Sequence, residues 1–103
     1  MPARMFNTLD VLSVTTGKLL SMDSIYELYE HVLGHPVWTH MLPELRPEMK
    51  AKVLAQHPHL AAADAEAANV TPENVDFYQQ LFIERYGAEL VLVGPDNPDA
   101  PEA

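Results

Sequence analysis

The segment Thr16-Gly17-Lys18 is the first place where residue types suggest chemistry, because a Gly-Lys pair is part of phosphate-binding loops. Such a loop also needs an earlier glycine, which lets backbone amides wrap the phosphates, and a hydroxyl residue after the lysine, which holds magnesium. Leu12 and Leu19 occupy those two positions. The sequence therefore excludes a phosphate loop and predicts a backbone turn at Gly17.

The five histidines raise the question of a metal site. His31 and His35 would share one helix face, but Gly34 interrupts the helix between them. The chain has no cysteine and no His-Glu-x-x-His motif. A cluster of His35, His40 and a nearby acid leaves a small metal-binding protein or hydrolase as an alternative. No Gly-x-Ser-x-Gly elbow is present, so we expect no enzymatic activity, no catalytic residue and no cofactor.

Charge is the strongest property of the whole chain, with 15 acids against six Lys and Arg and a net charge of −9. Residues 58–103 hold nine of the acids and only one cation. Such a surface repels nucleic acid and anionic lipid, so we expect neither as a direct partner. It would attract a basic protein, although acidic surfaces also serve solubility alone. The candidate partner-binding carboxylates are Asp64, Glu66, Glu73, Asp76, Glu84 and Glu89.

Length and composition favour one folded domain. The 103 residues, 48% of them apolar, suffice for one modest core. We predict a domain over residues 1–94 and a disordered, acidic, proline-rich tail over 95–103. There is no secretory signal and no apolar run long enough for a membrane span. The lack of cysteine fits a reducing cytoplasm, which is the location that we predict.

The first half of the chain shows two helical segments. Residues 8–16 leave helix and strand open, because Val11, Val14, Thr15 and Thr16 are β-branched and favour a strand. We favour a short helix, because the apolar residues do not alternate. Residues 22–33 form an amphipathic helix that ends at Gly34. Ser21 is its predicted N-cap, and Ser24 with Glu27 offers a competing capping box.

Prolines divide the middle of the chain. We expect a turn or two of helix over residues 36–42, between Pro36 and Pro43. The next helix is predicted to start at Pro47 and to run to about Gln56. Residues 59–70 read as a loosely packed loop or short helix.

The last helix is predicted over residues 72–86, capped by Thr71, and a strand follows over residues 89–93. The strand needs a partner, either the N-terminal segment, with residues 9–20 as the expected stretch, or a second copy of the chain. The aromatic stripe of the helix is predicted to be core. It consists of Phe77, Tyr78, Phe82 and Tyr86.

Trp38 lies in the irregular segment between Pro36 and Pro43. A tryptophan there either fills the core or acts as a binding anchor at an interface. We favour the core position, and we keep Trp38 and His40 as candidate partner-binding residues.

Several segments together resemble a family of small, uncharacterised bacteriophage and prophage proteins. They are VLSVTTGKLLS (11–21), DSIYELYEHVLG (23–34), WTHMLPEL (38–45), VLAQHPHL (53–60) and FIERYGAELVLV (82–93). The resemblance places Ser13, Thr15, Thr16 and Gly17 in a first motif, Thr39, His40, Leu42 and Pro43 in a second, and Tyr86 and Gly87 in a third. It implies a phage-encoded accessory protein in the bacterial cytoplasm.

We therefore expect a mainly helical α+β domain of about four short helices with a short C-terminal strand. The expected function is binding of a host or phage protein, with inhibition of a nucleic-acid-binding or defence protein by mimicry of its acidic ligand. Mimicry requires the carboxylates to share one face. The other alternative is a structural or morphogenesis factor that forms a homodimer by pairing strand 89–93.

Overall fold

The computed structural model describes residues 3–18, 20–21 and 23–94, so the predicted tail over 95–103 lies outside the described residues. In that part of the chain, five α-helices and a two-stranded antiparallel sheet form an α+β fold, as predicted. The elements are β1 (Ala3–Asn7), α1 (Thr8–Thr16), α2 (Ile25–Leu33), α3 (Leu42–Gln56), α4 (Ala63–Ala67), α5 (Val75–Tyr86) and β2 (Glu89–Val93), with 3₁₀ turns at Thr39–Met41 and Pro58–Ala62.

Helix α1 is the centre of the molecule. It packs against all four other helices, and every residue from Thr8 to Thr15 is buried. Burial on all sides explains why its apolar residues show neither strand alternation nor a single helical stripe. Gly17 ends the helix with a φ of 79°, in the left-handed region that glycine adopts without strain. The predictions of a helix over residues 8–16 and a turn at Gly17 are confirmed.

Strand β2 pairs with the N-terminal strand β1, which confirms a partner within the N-terminal segment. The partner is not the expected stretch 9–20, because most of that stretch forms α1. Phe6, Leu90 and Leu92 point into the core from the sheet. Met5 lies opposite Val91 on the other face, where both side chains are exposed.

The two edges of the sheet differ. The side-chain amide of Gln56 donates to the Val93 carbonyl at 2.8 Å and accepts from the Val93 amide at 2.7 Å, as a neighbouring strand would. His57 Nε2 donates to the Val91 carbonyl at 2.6 Å. These contacts close the outer edge of β2. In the described part of the chain, no further strand pairs with the outer edge of β1.

Helix α2 begins at Ile25, so the predicted start at residue 22 with Ser21 as N-cap is wrong. Ser24 stands at the N-cap but makes no side-chain capping bond. Its backbone amide instead donates to Asp10 Oδ2 at 2.9 Å. The carboxylate of Asp10, which is buried in α1, thus does what Glu27 would do in a capping box.

Helix α3 begins at Leu42, and the predicted start at Pro47 is wrong because Pro47 lies inside the helix. The missing amide of Pro47 would have bonded to the carbonyl of residue 43, so this proline removes one hydrogen bond near the N-terminus. The predicted turn over residues 36–42 appears as the 3₁₀ turn Thr39–Met41, which runs directly into α3. Of the two alternatives given for residues 59–70, a loop or a short helix, the structure has a short helix, α4, preceded by the 3₁₀ turn Pro58–Ala62.

Helix α5 begins at Val75 rather than Pro72, and Thr71 is not its cap. Asn74 Oδ1 accepts from the Thr71 amide at 2.7 Å, which folds residues 71–74 into a turn instead of a first helical turn. Within α5 only Phe82 is fully buried.

The core prediction is wrong for Phe77, which is 64% exposed. It lies five residues before Phe82, and five residues of helix turn a side chain to the opposite side of the axis.

Candidate functional site

The hydroxyl of Ser13 organises the loop that follows α1. Its Oγ donates to the Leu9 carbonyl at 2.8 Å and accepts from the backbone amides of Leu20 at 2.9 Å and Ser21 at 3.0 Å. One buried side chain thereby satisfies two loop amides that have no helix or strand partner. Ser13, a residue of the first sequence motif, holds backbone in place and is not arranged as a nucleophile.

Thr16 fixes the turn itself. Its Oγ1 donates to the Leu12 carbonyl at 2.6 Å and accepts from the Lys18 amide at 3.2 Å. The Gly17 amide donates to the Ser13 carbonyl at 3.1 Å. The Thr-Gly-Lys segment is thus a closed helix end, and its amides point back to the helix instead of towards a phosphate.

Arg46 of α3 lies across this turn. Its Nη1 donates to the Val14 carbonyl at 2.9 Å, at the end of α1 where carbonyls lack helical partners and cations are favoured. A Cβ atom at Gly17 would lie 3.0 Å from Arg46 Nη2. The absence of a side chain at Gly17 therefore serves two purposes, the left-handed backbone and the close approach of the guanidinium.

A pocket of about 230 Å³ opens beside Arg46. Its walls are mostly apolar side chains from α1, α2 and the start of α3, and Lys18 and Arg46 also line it. Tyr29 reaches it from α2 and donates its hydroxyl to the Leu42 carbonyl at 3.1 Å. Burial raises the pKa of the Tyr29 hydroxyl above its ordinary value, and nearby Arg46 offsets part of that rise.

Lys18 also lines a second pocket of about 330 Å³. Its other walls are Val70, Thr71, Pro72 and Val75, from the turn before α5 and the helix start. Lys18, in the turn after α1, therefore borders two pockets. Sequence reasoning missed both, because they form only when residues 13–18 meet segments far along the chain.

The carboxylates predicted to bind a partner fall into two groups, a half-buried pair and an exposed set. Asp64 pairs with Lys50 at 2.8 Å, and Glu66 pairs with Arg85. Glu73, Asp76 and Glu84 are exposed and have no ion pair among the described residues, as is also true of Glu89. On α5, Asp76 and Glu84 lie near one helix face because they are eight residues apart.

Trp38 is 70% exposed, so the predicted core position is wrong. Its neighbour Val37 takes the buried position in this segment instead. The hydroxyls of Tyr26 and Thr39 share a hydrogen bond of 2.5 Å, which ties the segment to the start of α2. The Trp38 carbonyl accepts from the Met41 amide at 2.9 Å. The indole thus stands in solvent on a backbone held from both sides.

His31, His35 and His57 each bond to a backbone carbonyl. His31 Nε2 donates to the Leu92 carbonyl at 2.7 Å, and His35 Nδ1 donates to the Pro36 carbonyl at 3.0 Å. His40 is exposed beside Trp38. Among residues 3–18, 20–21 and 23–94, no three His, Asp or Glu side chains are grouped to hold a metal ion. Over the same ranges, no helix has both the length and the apolar character to cross a membrane.

One family model matches the chain, and its description is Domain of unknown function (DUF7736). The match covers residues 6–63, which include the turn after α1, the pocket beside Arg46 and Trp38, but not the acidic residues of α5. No curated protein and no solved structure matches the chain. Because the match extends over more than half of the sequence, the chain belongs to the family Domain of unknown function (DUF7736).

Proposed function

We propose that this chain is a phage-encoded accessory protein that binds another protein in the bacterial cytoplasm and has no enzymatic activity. The observation that carries the proposal is the exposed indole of Trp38 on a held backbone. The phage origin is supported by the resemblance of the motifs that include Ser13, Thr39 and His40 to phage and prophage proteins.

Trp38 has the properties of an interface anchor. Tryptophan is among the residues that contribute most to protein–protein affinity, because a large rigid surface leaves water with little loss of conformational freedom. The bond between Tyr26 and Thr39 fixes the backbone on one side, and Val37 is buried on the other. Less conformational entropy is then lost on binding, which strengthens it.

The acids of the two helices that flank the Trp38 segment in the sequence favour a basic partner. Glu27 follows Tyr26 on α2, and Glu44 lies in the first turn of α3, and both are exposed. The whole chain carries a net charge of −9. A host protein that binds nucleic acid combines a basic surface with apolar recesses, so this chain would act as its acidic inhibitor.

The acidic residues of the C-terminal half contribute unequally to this proposal. Lys50 and Arg85 already neutralise Asp64 and Glu66. Glu73, Asp76 and Glu84 are exposed without such partners, so they are the carboxylates that would face a basic groove. Helical spacing puts Asp76 and Glu84 about 12 Å apart along α5.

Affinity capture from a bacterial host lysate tests the proposal. We expect the wild-type chain to retain a specific protein, which Trp38→Ala loses and Val91→Ala keeps. Val91 is the control, because it is also an exposed apolar residue, at 45% against 70% for Trp38, and it belongs to β2 and not to the Trp38 segment or to α5. Equal capture by all three chains, or by none, would contradict the role of Trp38.

A second set of variants separates charge from the aromatic anchor. The triple change Glu73→Gln, Asp76→Asn and Glu84→Gln should weaken capture at low salt if these carboxylates imitate phosphates. Asp64→Asn with Glu66→Gln should weaken it less, because those side chains already pair within the chain. If the triple variant binds as well as the wild type at every salt concentration, mimicry fails while the Trp38 interface stands.

Self-association is a second candidate, favoured by the outer edge of β1. That edge has no strand partner in the described part of the chain, and beside it Met5 and Val91 are 54% and 45% exposed. An antiparallel pair of β1 strands centred on Met5 would bring the same residues of two copies together. The earlier prediction of pairing through strand 89–93 is replaced by pairing through β1, because β2 is occupied on both sides.

Sedimentation equilibrium at about 100 μM distinguishes this candidate. Pairing through β1 predicts a dimer for the wild type and for Phe77→Lys, and a monomer for Met5→Lys, which puts a charge at the contact. A monomeric wild type at that concentration removes the candidate.

A further inference from the structure

The distribution of cations in this acidic molecule is uneven. Of the six Lys and Arg, three form ion pairs with carboxylates, namely Lys50 with Asp64, Lys52 with Glu48, and Arg85 with Glu66. Arg4 lies over the ring of Phe6, 4.9 Å from its centroid. Lys18 and Arg46 have no carboxylate partner among the described residues, and both line the 230 Å³ pocket beside α1.

The charge of that pocket is positive, whereas the chain as a whole is negatively charged. The described residues that line it include no Asp or Glu, although the chain carries 15 acids. Its remaining walls include Val14, Ile25 and Leu42. An apolar wall with two cationic groups suits a ligand that has an apolar body and one anionic group.

Arg46 is positioned to take part although it already makes one bond. Its Nη1 donates to the Val14 carbonyl, and the positive charge of the guanidinium there offsets the negative end of the α1 dipole, which would otherwise repel an anion. Nη2 lies over Gly17 and is not used in that bond. The planar guanidinium can therefore present its second amine to a carboxylate.

From these observations we infer that the pocket between α1, α2 and α3 binds a small organic carboxylate, with Arg46 and Lys18 on the anionic group and Val14, Ile25 and Leu42 on the apolar body. The volume of about 230 Å³ is below the range of drug-sized pockets, so the ligand has about ten non-hydrogen atoms. The site is separate from the proposed protein interface at Trp38 and does not depend on it.

Titration with benzoate, followed by ¹H–¹⁵N NMR, tests the inference. A ligand of this size should bind with a Kd of about 1 mM. Benzoate should shift the amide signals of residues 13–18, 42 and 44–46, and neutral benzamide of the same shape should not. Equal binding of benzamide, or shifts confined to other parts of the chain, would overturn the proposal.

Lysine variants give the matched comparison. Lys18→Gln should weaken benzoate binding about fivefold, and Lys18→Arg should restore it, since Lys18 makes no side-chain bond that the fold requires. Lys52→Gln removes the same charge from the exposed face of α3 and should leave binding unchanged. An equal loss in Lys18→Gln and Lys52→Gln would show general charge attraction and not a site.

Discussion

Helices α1 and α5 use polar residues in opposite ways. In α1, Asp10, Ser13 and Thr16 turn inward and bond to backbone groups of the segments that follow, within a helix that is buried from Thr8 to Thr15. In α5, Asp76 and Glu84 face solvent. The segment with the richest motif is therefore scaffold, and the residues available to a partner lie elsewhere.

This difference changes how the first motif should be interpreted. Its hydroxyl residues and glycine resemble a chemical site in the sequence, but each one completes the hydrogen bonds of a helix end. The exposed Trp38, which the sequence places between prolines, is a better marker of an interaction.

The largest expected difference between the helices is in side-chain burial. Leu12 is fully buried in α1, and Leu81 is half-buried in α5. Leu12→Ala should lower the free energy of unfolding by about 3 kcal/mol, and Leu81→Ala by about 1 kcal/mol. Urea denaturation of both variants measures the difference. Equal losses would mean that Leu81 is packed as tightly as Leu12.

The next effect concerns the inward polar groups. Ser13→Ala removes the acceptor of the Leu20 and Ser21 amides and should cost about 2 kcal/mol of unfolding free energy. Faster hydrogen exchange should appear at those two amides first. Ser21→Ala is the control, because its Oγ accepts only a 3.5 Å exposed bond, and it should cost less than about 0.5 kcal/mol. Similar losses in the two variants would contradict the role given to Ser13.

Gly17→Ala tests the turn that joins α1 to its loop. The left-handed φ costs an alanine about 1 kcal/mol, and the contact with Arg46 should add to that. Gly34→Ala at the end of α2 has a comparable φ of 85° and serves as the reference. Thermal unfolding should show the lower Tm for Gly17→Ala, and the opposite order would rule out a contribution from Arg46.

The smallest effect is expected on the outer face of α5. Phe77→Ala should change the free energy of unfolding by less than about 0.5 kcal/mol, because the ring is largely in solvent and contacts mainly Tyr78. Chemical denaturation should compare this variant with Phe82→Ala in the same helix, which should lower the free energy of unfolding by about 4 kcal/mol. A loss above 1 kcal/mol at Phe77 would show that this face is packed.

Features set by neighbouring residues could be predicted from the sequence. The glycine stops at Gly17 and Gly34 and the strand over residues 89–93 follow from local propensity and backbone conformation, and the helix over residues 8–16 was favoured only because its apolar residues do not alternate. The predicted helix starts were wrong where contact with a residue far along the chain determines the first residue of the helix. The start of α2 depends on Asp10, and this carboxylate reaches Ser24 only after α1 and α2 have packed together.

The candidate site was less predictable than the fold, for the same reason. Arg46 and Val14 are 32 residues apart, and no periodicity links them. The exposure of Trp38 depends on which residue of an irregular segment turns inward, and here Val37 does so. Such choices follow from the packing of whole elements.

The closed edge of β2 limits what this sheet can build. The Gln56 amide and the His57 ring occupy the positions that an added strand would need. Two copies joined through β1 would form a four-stranded sheet with β2 at both ends, each end already blocked by its own chain. Growth would stop at two, so the open edge of β1 permits a pair without opening a route to fibres.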